Sequence, residues 1–195
     1  AGYVITLLAA MFGPARRVTA FSSLLIPDKA TTPPLPHPAP DFSVGLIEFD
    51  DGVVARLTNS IVAPYDHRMR IVGEDATIEL REPWDYASVP VIRATSQTRL
   101  ARLLERRLPG FGGERLTLAR ACPLPRGRGK PTMDFLRGVA ELAAAIREDR
   151  PSRLDADLAV HVTEVTEMLQ YPERFAARQE VRSRFAPIQP MDWAR

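Results

Sequence analysis

Cysteine and lysine are almost missing from this 195-residue sequence. A lone Cys122 excludes an intramolecular disulfide and any multi-cysteine zinc site. Lys29 and Lys130 are the only lysines, so the basic charge is nearly all arginine. Arginine stays protonated in proteins and serves poorly as an acid or base. No apolar run approaches the ~20 residues that span a bilayer. Phosphate-cradling glycine patterns, G-x-G-x-x-G and G-x-x-x-x-G-K-[ST], are absent, as is the G-x-S-x-G elbow. His37, His67 and His161 lie too far apart to offer a metal-binding pair on one helix.

What remains is an ordinary globular composition, 45% hydrophobic and 26% charged, which argues against disorder. A net charge of +2 from 26 basic and 24 acidic residues does not suggest a nucleic-acid binder. The chain is long enough for one domain, or one domain plus a tail. No export signal is visible, which makes cytoplasm the default location. The opening helix has neither a capping residue nor a polar lead-in, so the chain is expected to be cut from something longer.

Val4, Leu7, Leu8 and Met11 recur at helical spacing until Gly13-Pro14 stops them. Strands are expected at Arg17–Ile26, Phe42–Phe49 and Val53–Ala63, the last two joined by a hairpin at Asp50-Asp51-Gly52. Between the first and second, Pro33, Pro34, Pro36, Pro38 and Pro40 demand a loop. Arg68–Val72 and Ala76–Leu80 read as a further pair around Gly73-Glu74-Asp75, with Val89–Arg93 after it. Two helices follow, Met133–Arg147 and Asp155–Gln170. The first is expected to bury Leu136, Val139, Ala140, Ala143 and Ile146. The second is expected to bury Leu158, His161, Val162, Val165 and Leu169. Strands followed by helices give an α+β fold: an open, mostly antiparallel β-sheet with helices packed on one face.

Residues 95–131 differ in composition. Nine basic residues between Arg99 and Lys130 face only Glu105 and Glu114. A polyanion-binding arm is one reading, and a basic amphipathic helix on a variable insertion is the plainer one. Tyr65, Asp66 and His67 occupy a turn after a strand, where sites concentrate, although Asp66 also suits plain turn formation. Trp84 and Tyr86 can wall a small-molecule pocket by ring-face contact, or simply pack at a strand end. His161, on the apolar side of its helix, reads as a buried, hydrogen-bonded structural histidine. Glu164 and Glu167 read as a solvated face.

Several stretches carry a collinear resemblance. They are Gly2-Tyr3-Val4-Ile5-Thr6-Leu7-Leu8, Phe12-Gly13-Pro14, Arg17-Val18-Thr19-Ala20, Phe49 to Val53, Tyr65 to Gly73, Phe135-Leu136 through Glu141-Leu142, Arg150-Pro151 and His161-Val162. Together, over residues 1–170, they resemble the C-terminal domain of the glucose–fructose oxidoreductase / inositol dehydrogenase / rhizopine-catabolism (Gfo/Idh/MocA) family. Residues 95–131 then look like an insertion and residues 171–195 like a tail. The resemblance implies the substrate-binding half of a two-domain oxidoreductase. That protein would transfer a hydride between NAD or NADP and a sugar, polyol or related hydroxyl compound. The cofactor would be held by an N-terminal Rossmann domain absent from this chain. The family's E-K-P lysine matches neither Lys29 nor Lys130, its D-x-x-x-H aspartate falls upstream of Ala1, and its histidine position corresponds to Tyr3. Tyr3 is thereby the catalytic candidate, since a phenol can donate a proton or hold a hydroxyl. Tyr65, His67 and Trp84 are the substrate-binding candidates, and Tyr65 matches a substrate-contacting position of inositol dehydrogenase-like members. A small-molecule substrate and a homo-oligomer formed through the sheet are the implied partners, with no membrane. The alternative is a non-catalytic ligand-binding or dimerisation module using the exposed sheet face.

Overall fold

A computed structural model describes residues 1–29, 36–85, 88–95, 107, 113–116 and 136–192. Most of the basic segment 95–131 lies outside them, as do Tyr86, Cys122 and Lys130. The chain forms two compact units, residues 1–64 with 138–189, and residues 65–137 with 190–195.

The first unit begins with α1 (Gly2–Phe12), which ends at Gly13. Gly13 takes φ 76°, a left-handed conformation that glycine enters without steric cost. Strands β1 (Ala15–Ser23), β2 (Phe42–Phe49) and β3 (Val54–Ser60) follow, all antiparallel. The β2–β3 hairpin turns at Asp50-Asp51-Gly52, where Gly52 has φ 79° and donates to Phe49 O at 3.2 Å. Two helices, α2 (Leu136–Arg147) and α3 (Ala156–Gln170), come later. Asp155 caps α3 by accepting from Leu158 N at 2.9 Å.

In β2, Ser43, Gly45, Ile47 and Phe49 are buried in strict alternation. They form the floor under α1 and α3. Ile5, Leu8, Val165, Met168 and Leu169 close over Val18, Ile47, Phe49 and Leu57 as one core. The opposite face of this sheet exposes Phe21, Leu46 and Val54. Among the described residues helices therefore cover one face only, as alternating strands demand.

Gly45 is what lets α3 approach. A methyl group there would overlap Leu169 Cδ2 and sit 3.3 Å from Thr19 O. Leu169 is itself 1% exposed and cannot swing into solvent. Gly45→Ala is expected to cost about 1–3 kcal/mol by overpacking. Urea unfolding checks this, and adding Leu169→Ala to Gly45→Ala should cost less than the two changes summed.

Two expectations need correction. The tail is not merely an appendage: β8 (Gln179–Glu180) pairs with β1, giving the order β3-β2-β1-β8. In α2, Leu136, Val139 and Ile146 are 73%, 63% and 73% exposed, and Ala140 and Ala143 are exposed too. The helix buries Glu141 and Ala145 instead. At 100° per residue these two lie on the side opposite the apolar stripe. Glu141 turns that side inward because Arg150 and Arg153 hold it there.

The second unit is a separate antiparallel sheet, β4 (Met69–Val72), β5 (Ala76–Leu80), β6 (Val91–Ala94) and β7 (Gly113–Arg115), in that order. Arg70 and Arg93 flank Glu79 across its strands, and their positive charges hold the Glu79 carboxyl below its ordinary value. The fold is α+β with open antiparallel sheets, as expected, its strands divided between two sheets, and the β4–β5 hairpin falls at the expected residues.

Candidate functional site

The β4–β5 ladder explains how the sequence candidates meet. Met69 pairs with Leu80, the last rung of the hairpin. Carried outward, the same register sets His67 opposite Glu82 and Tyr65 opposite Trp84. Tyr65 and His67 are two residues apart, so in extended backbone they share a side. Their ring centroids lie 4.0 Å apart. The other arm is fixed by a turn, Glu82-Pro83-Trp84-Asp85, closed by Asp85 N donating to Glu82 O at 3.2 Å. Proline is favoured at the second position of such a turn. The turn brings the Trp84 ring to 6.0 Å from His67.

Glu82 is the centre of the arrangement. Tyr65 OH donates to its Oε2 at 2.7 Å, Trp84 N donates to Oε1 at 3.2 Å, and His67 Nδ1 lies 3.3 Å from Oε1. Burial works against ionisation of this carboxyl. The bonds from Tyr65, Trp84 and His67 outweigh it, and the carboxyl stays below its ordinary value. The same bond makes the Tyr65 phenol harder to ionise, so its pKa is raised. Asp66 does not join the cluster. It accepts from Arg68 N and pairs with the Arg68 guanidinium at 2.6 Å, which depresses its carboxyl strongly. Asp66 is a turn former, as its residue type allows.

Three of the four candidates, Tyr65, His67 and Trp84, are therefore brought together. Tyr3 lies on α1 in the other unit and is 67% exposed. Glu82 was missed. The signal that finds it is the hairpin register around Gly73-Glu74-Asp75, which needs only the two strands and their turn.

Other features are structural. A depression of about 520 Å³ beside α2 is lined by Leu142, Ala145, Ile146, Arg150 and Ser152, among others. Its arginine is committed to Glu141 and Glu148. Among the described residues no group of His, Cys, Asp or Glu is placed to hold a metal ion. His161 is fully buried and hydrogen-bonded, as its place on the apolar face predicts. Glu164 is not on a solvated face: it accepts from Arg182 N and Ser183 N at 2.8 and 2.7 Å and from Ser183 Oγ. Glu167 is exposed and meets Arg174.

Residues 1–79 match the model of the GFO/IDH/MocA C-terminal domain. That match contains Tyr65 and His67 and stops short of Glu82 and Trp84. No curated protein matches in sequence. Among solved structures, levoglucosan dehydrogenase in complex with NADH superposes with a TM-score of 0.62 at 14% identity, over 93% of this chain and 49% of that one. An aldose–aldose oxidoreductase from Caulobacter crescentus, complexed with glycerol, gives 0.59 at 15%, over 92% and 45%. The WlbA dehydrogenase from Bordetella pertussis, with NADH and UDP-GlcNAcA, gives 0.55 at 14%, over 98% and 46%. At these identities the likeness establishes the fold, and the chain spans about half the length of each structure.

Proposed function

We propose, from the match of residues 1–79 to the GFO/IDH/MocA C-terminal domain, that this chain is the substrate-binding half of an NAD(P)-dependent oxidoreductase of that family. The reaction is hydride transfer between the nicotinamide and a sugar, polyol or related hydroxyl compound. The observation that carries this reading is the convergence of Tyr65, His67 and Trp84 on one ionised carboxylate. Aromatic faces beside a carboxylate suit a ring that presents C–H groups on one side and hydroxyls at its rim.

The dinucleotide does not fit on the described residues of this chain alone. Both sheets are antiparallel among those residues, with no strand–glycine turn–helix unit to receive a pyrophosphate. In this reading the cofactor is held by the rest of a longer protein, with NAD and NADP both admissible. Tyr3, on the exposed side of α1, is proposed to handle the substrate hydroxyl proton. The uncovered face with Phe21, Leu46 and Val54 is proposed as the contact for a second copy. Among the described residues no helix is long and apolar enough to cross a membrane.

The longest open reading frame containing this sequence is expected to reduce NAD+ or NADP+ in the presence of a sugar or polyol, read as absorbance at 340 nm. Trp84→Ala is expected to lower kcat/KM at least about tenfold through lost ring contact. Folded protein that binds sugars without any turnover would instead support the non-catalytic ligand-binding module.

A further inference from the structure

We infer that Glu82 is a positioning residue that sets the hydrogen-bond polarity of the Tyr65–His67–Trp84 site, so that the site takes neutral, hydroxyl-donating sugars and rejects their carboxylate counterparts. The inference rests on the substrate-wall reading above and adds the ligand's chemistry to it.

The geometry fixes where each proton sits. Tyr65 OH points at Glu82 Oε2 at 2.7 Å, so its only proton is engaged. A phenol oxygen whose hydrogen is given away offers lone pairs to anything else. His67 Nδ1 lies against Glu82 Oε1 at 3.3 Å. An ionised carboxylate can only accept, so Nδ1 must carry the hydrogen. In the neutral imidazole that leaves Nε2 with a lone pair, and among the described residues no hydrogen bond is made to it. Trp84 gives its backbone N–H to the same carboxylate at 3.2 Å. Three donors thus turn inward to one anion, and the lone pairs of Tyr65 Oη and His67 Nε2 remain for a ligand.

Charge points the same way. Glu82 carries the net negative charge of the cluster. Arg68, the cation next to His67 in sequence, is held by Asp66 at 2.6 Å. A ligand hydroxyl donates to Tyr65 Oη or His67 Nε2. A ligand carboxylate has no proton to give them and meets the field of Glu82. Tyr65 is 76% exposed in the free protein, so water competes for these bonds. A bound ring removes that water, and the bias strengthens on binding.

D-Glucose and D-glucuronate make a minimal pair, differing at one carbon in a hydroxyl against a carboxylate. Calorimetric titration of the full chain is expected to show glucose bound at least about tenfold more tightly than glucuronate. In Glu82→Gln the preference should collapse to within about threefold. Phenol ionisation followed at 295 nm supplies a second reading: Tyr65 titrates late in the wild type and moves earlier in Glu82→Gln. Tyr65→Phe identifies its step by deleting it, and far-UV circular dichroism confirms that both variants are folded. Equal or tighter glucuronate binding by the wild type overturns the inference and leaves the substrate wall intact. An unmoved Tyr65 titration in folded Glu82→Gln overturns it as well. If neither sugar binds although the titration moves, the substrate-wall reading itself fails and the ligand class falls with it.

Discussion

Replacing His161 with alanine is expected to remove about 4 kcal/mol of stability. The imidazole has no exposed surface and joins three parts of the chain. Ala15 N donates to Nε2 at 3.0 Å, at the start of β1. That assigns the hydrogen to Nδ1, which faces Ser183 O at 3.2 Å and Ser183 Oγ at 3.1 Å. Ser183 Oγ in turn donates to Glu164. One histidine therefore ties helix α3 to β1 and to the tail beyond β8. Its ring packs at 5.0 Å from that of Phe185. Truncation leaves the Ala15 N–H buried without its acceptor, about 1–3 kcal/mol, and opens a cavity against Phe185 costing a similar amount. His161→Phe fills the space without the bonds and should recover about half the loss. Urea midpoints measure both, and faster hydrogen exchange at the Ala15 amide localises the effect. Acid adds a second signature. Burial pushes the His161 pKa below its ordinary value of 6.5, assisted by Arg184 and opposed by Ser183 and Glu164. The unfolded chain then binds a proton that the folded chain refuses. Stability is full above about pH 6.5 and falls as pH drops below it, by up to about 1.4 kcal/mol per unit. His161→Phe should lack that component of the slope. An equal slope in the variant would show that other groups carry it.

Much of this arrangement is legible in the sequence wherever a local rule and the global packing agree. Phe42–Phe49 alternates because one side of β2 lies under two helices. Asp51-Gly52 makes its hairpin because glycine takes the positive φ. His161 shares an apolar helical stripe with Leu158 and Val165, and the structure buries all three. Legibility stops where partners are far apart in the chain. Gln179 and Glu180 show no strand pattern, being only two residues long and held by pairing with Val18 and Arg17. The apolar stripe of α2 misleads because orientation there is decided by a charged residue, against the usual rule that apolar faces turn inward. Glu82 is intermediate. Nothing in its immediate neighbours marks it, yet a hairpin register that was itself readable places it opposite His67. The rule that would have found it is that residues just past the ends of a hairpin continue the ladder, and side chains two rungs out still meet.

Glu141→Ala is expected to cost about 3 kcal/mol, and the loss should vanish in acid. Glu141 lies 7% exposed on the inward side of α2. Just past the end of α2, Asp149 takes φ 48° while Arg150 N donates back to Ala145 O at 3.1 Å. That reversal aims the Arg150 guanidinium along the helix, where it grips Glu141 with two parallel bonds of 2.7 and 3.1 Å. Arg153 adds its backbone N–H at 3.2 Å and its Nη1 at 2.6 Å, and its Nε reaches Gln189 O in the tail. Deleting the carboxylate removes the partner the two guanidinium groups share, leaving Arg150 with Glu148 and Arg153 with Gln189 O. The two arginine side chains keep 29% and 14% exposure, so water offsets part of the penalty, which sets the estimate at the low end for a broken buried pair. Glu141→Gln preserves the shape and isolates the charge, and should cost about 2 kcal/mol. Salt distinguishes this cluster from surface pairs such as Arg68 with Asp66: raising ionic strength to 1 M should weaken the surface pair and leave the Glu141 contribution nearly intact. The pH dependence follows from Arg150 first, then Arg153, which against the opposing cost of burial hold the Glu141 pKa down to about 2. Its folded value lies below its unfolded value of 4.5, so its stabilisation is complete above about pH 4.5 and is lost as pH falls toward 2. Urea midpoints of wild type and Glu141→Gln should therefore differ at pH 7 and converge near pH 2. If the difference persists at pH 2, the carboxylate's charge is not what holds α2 with its apolar stripe outward.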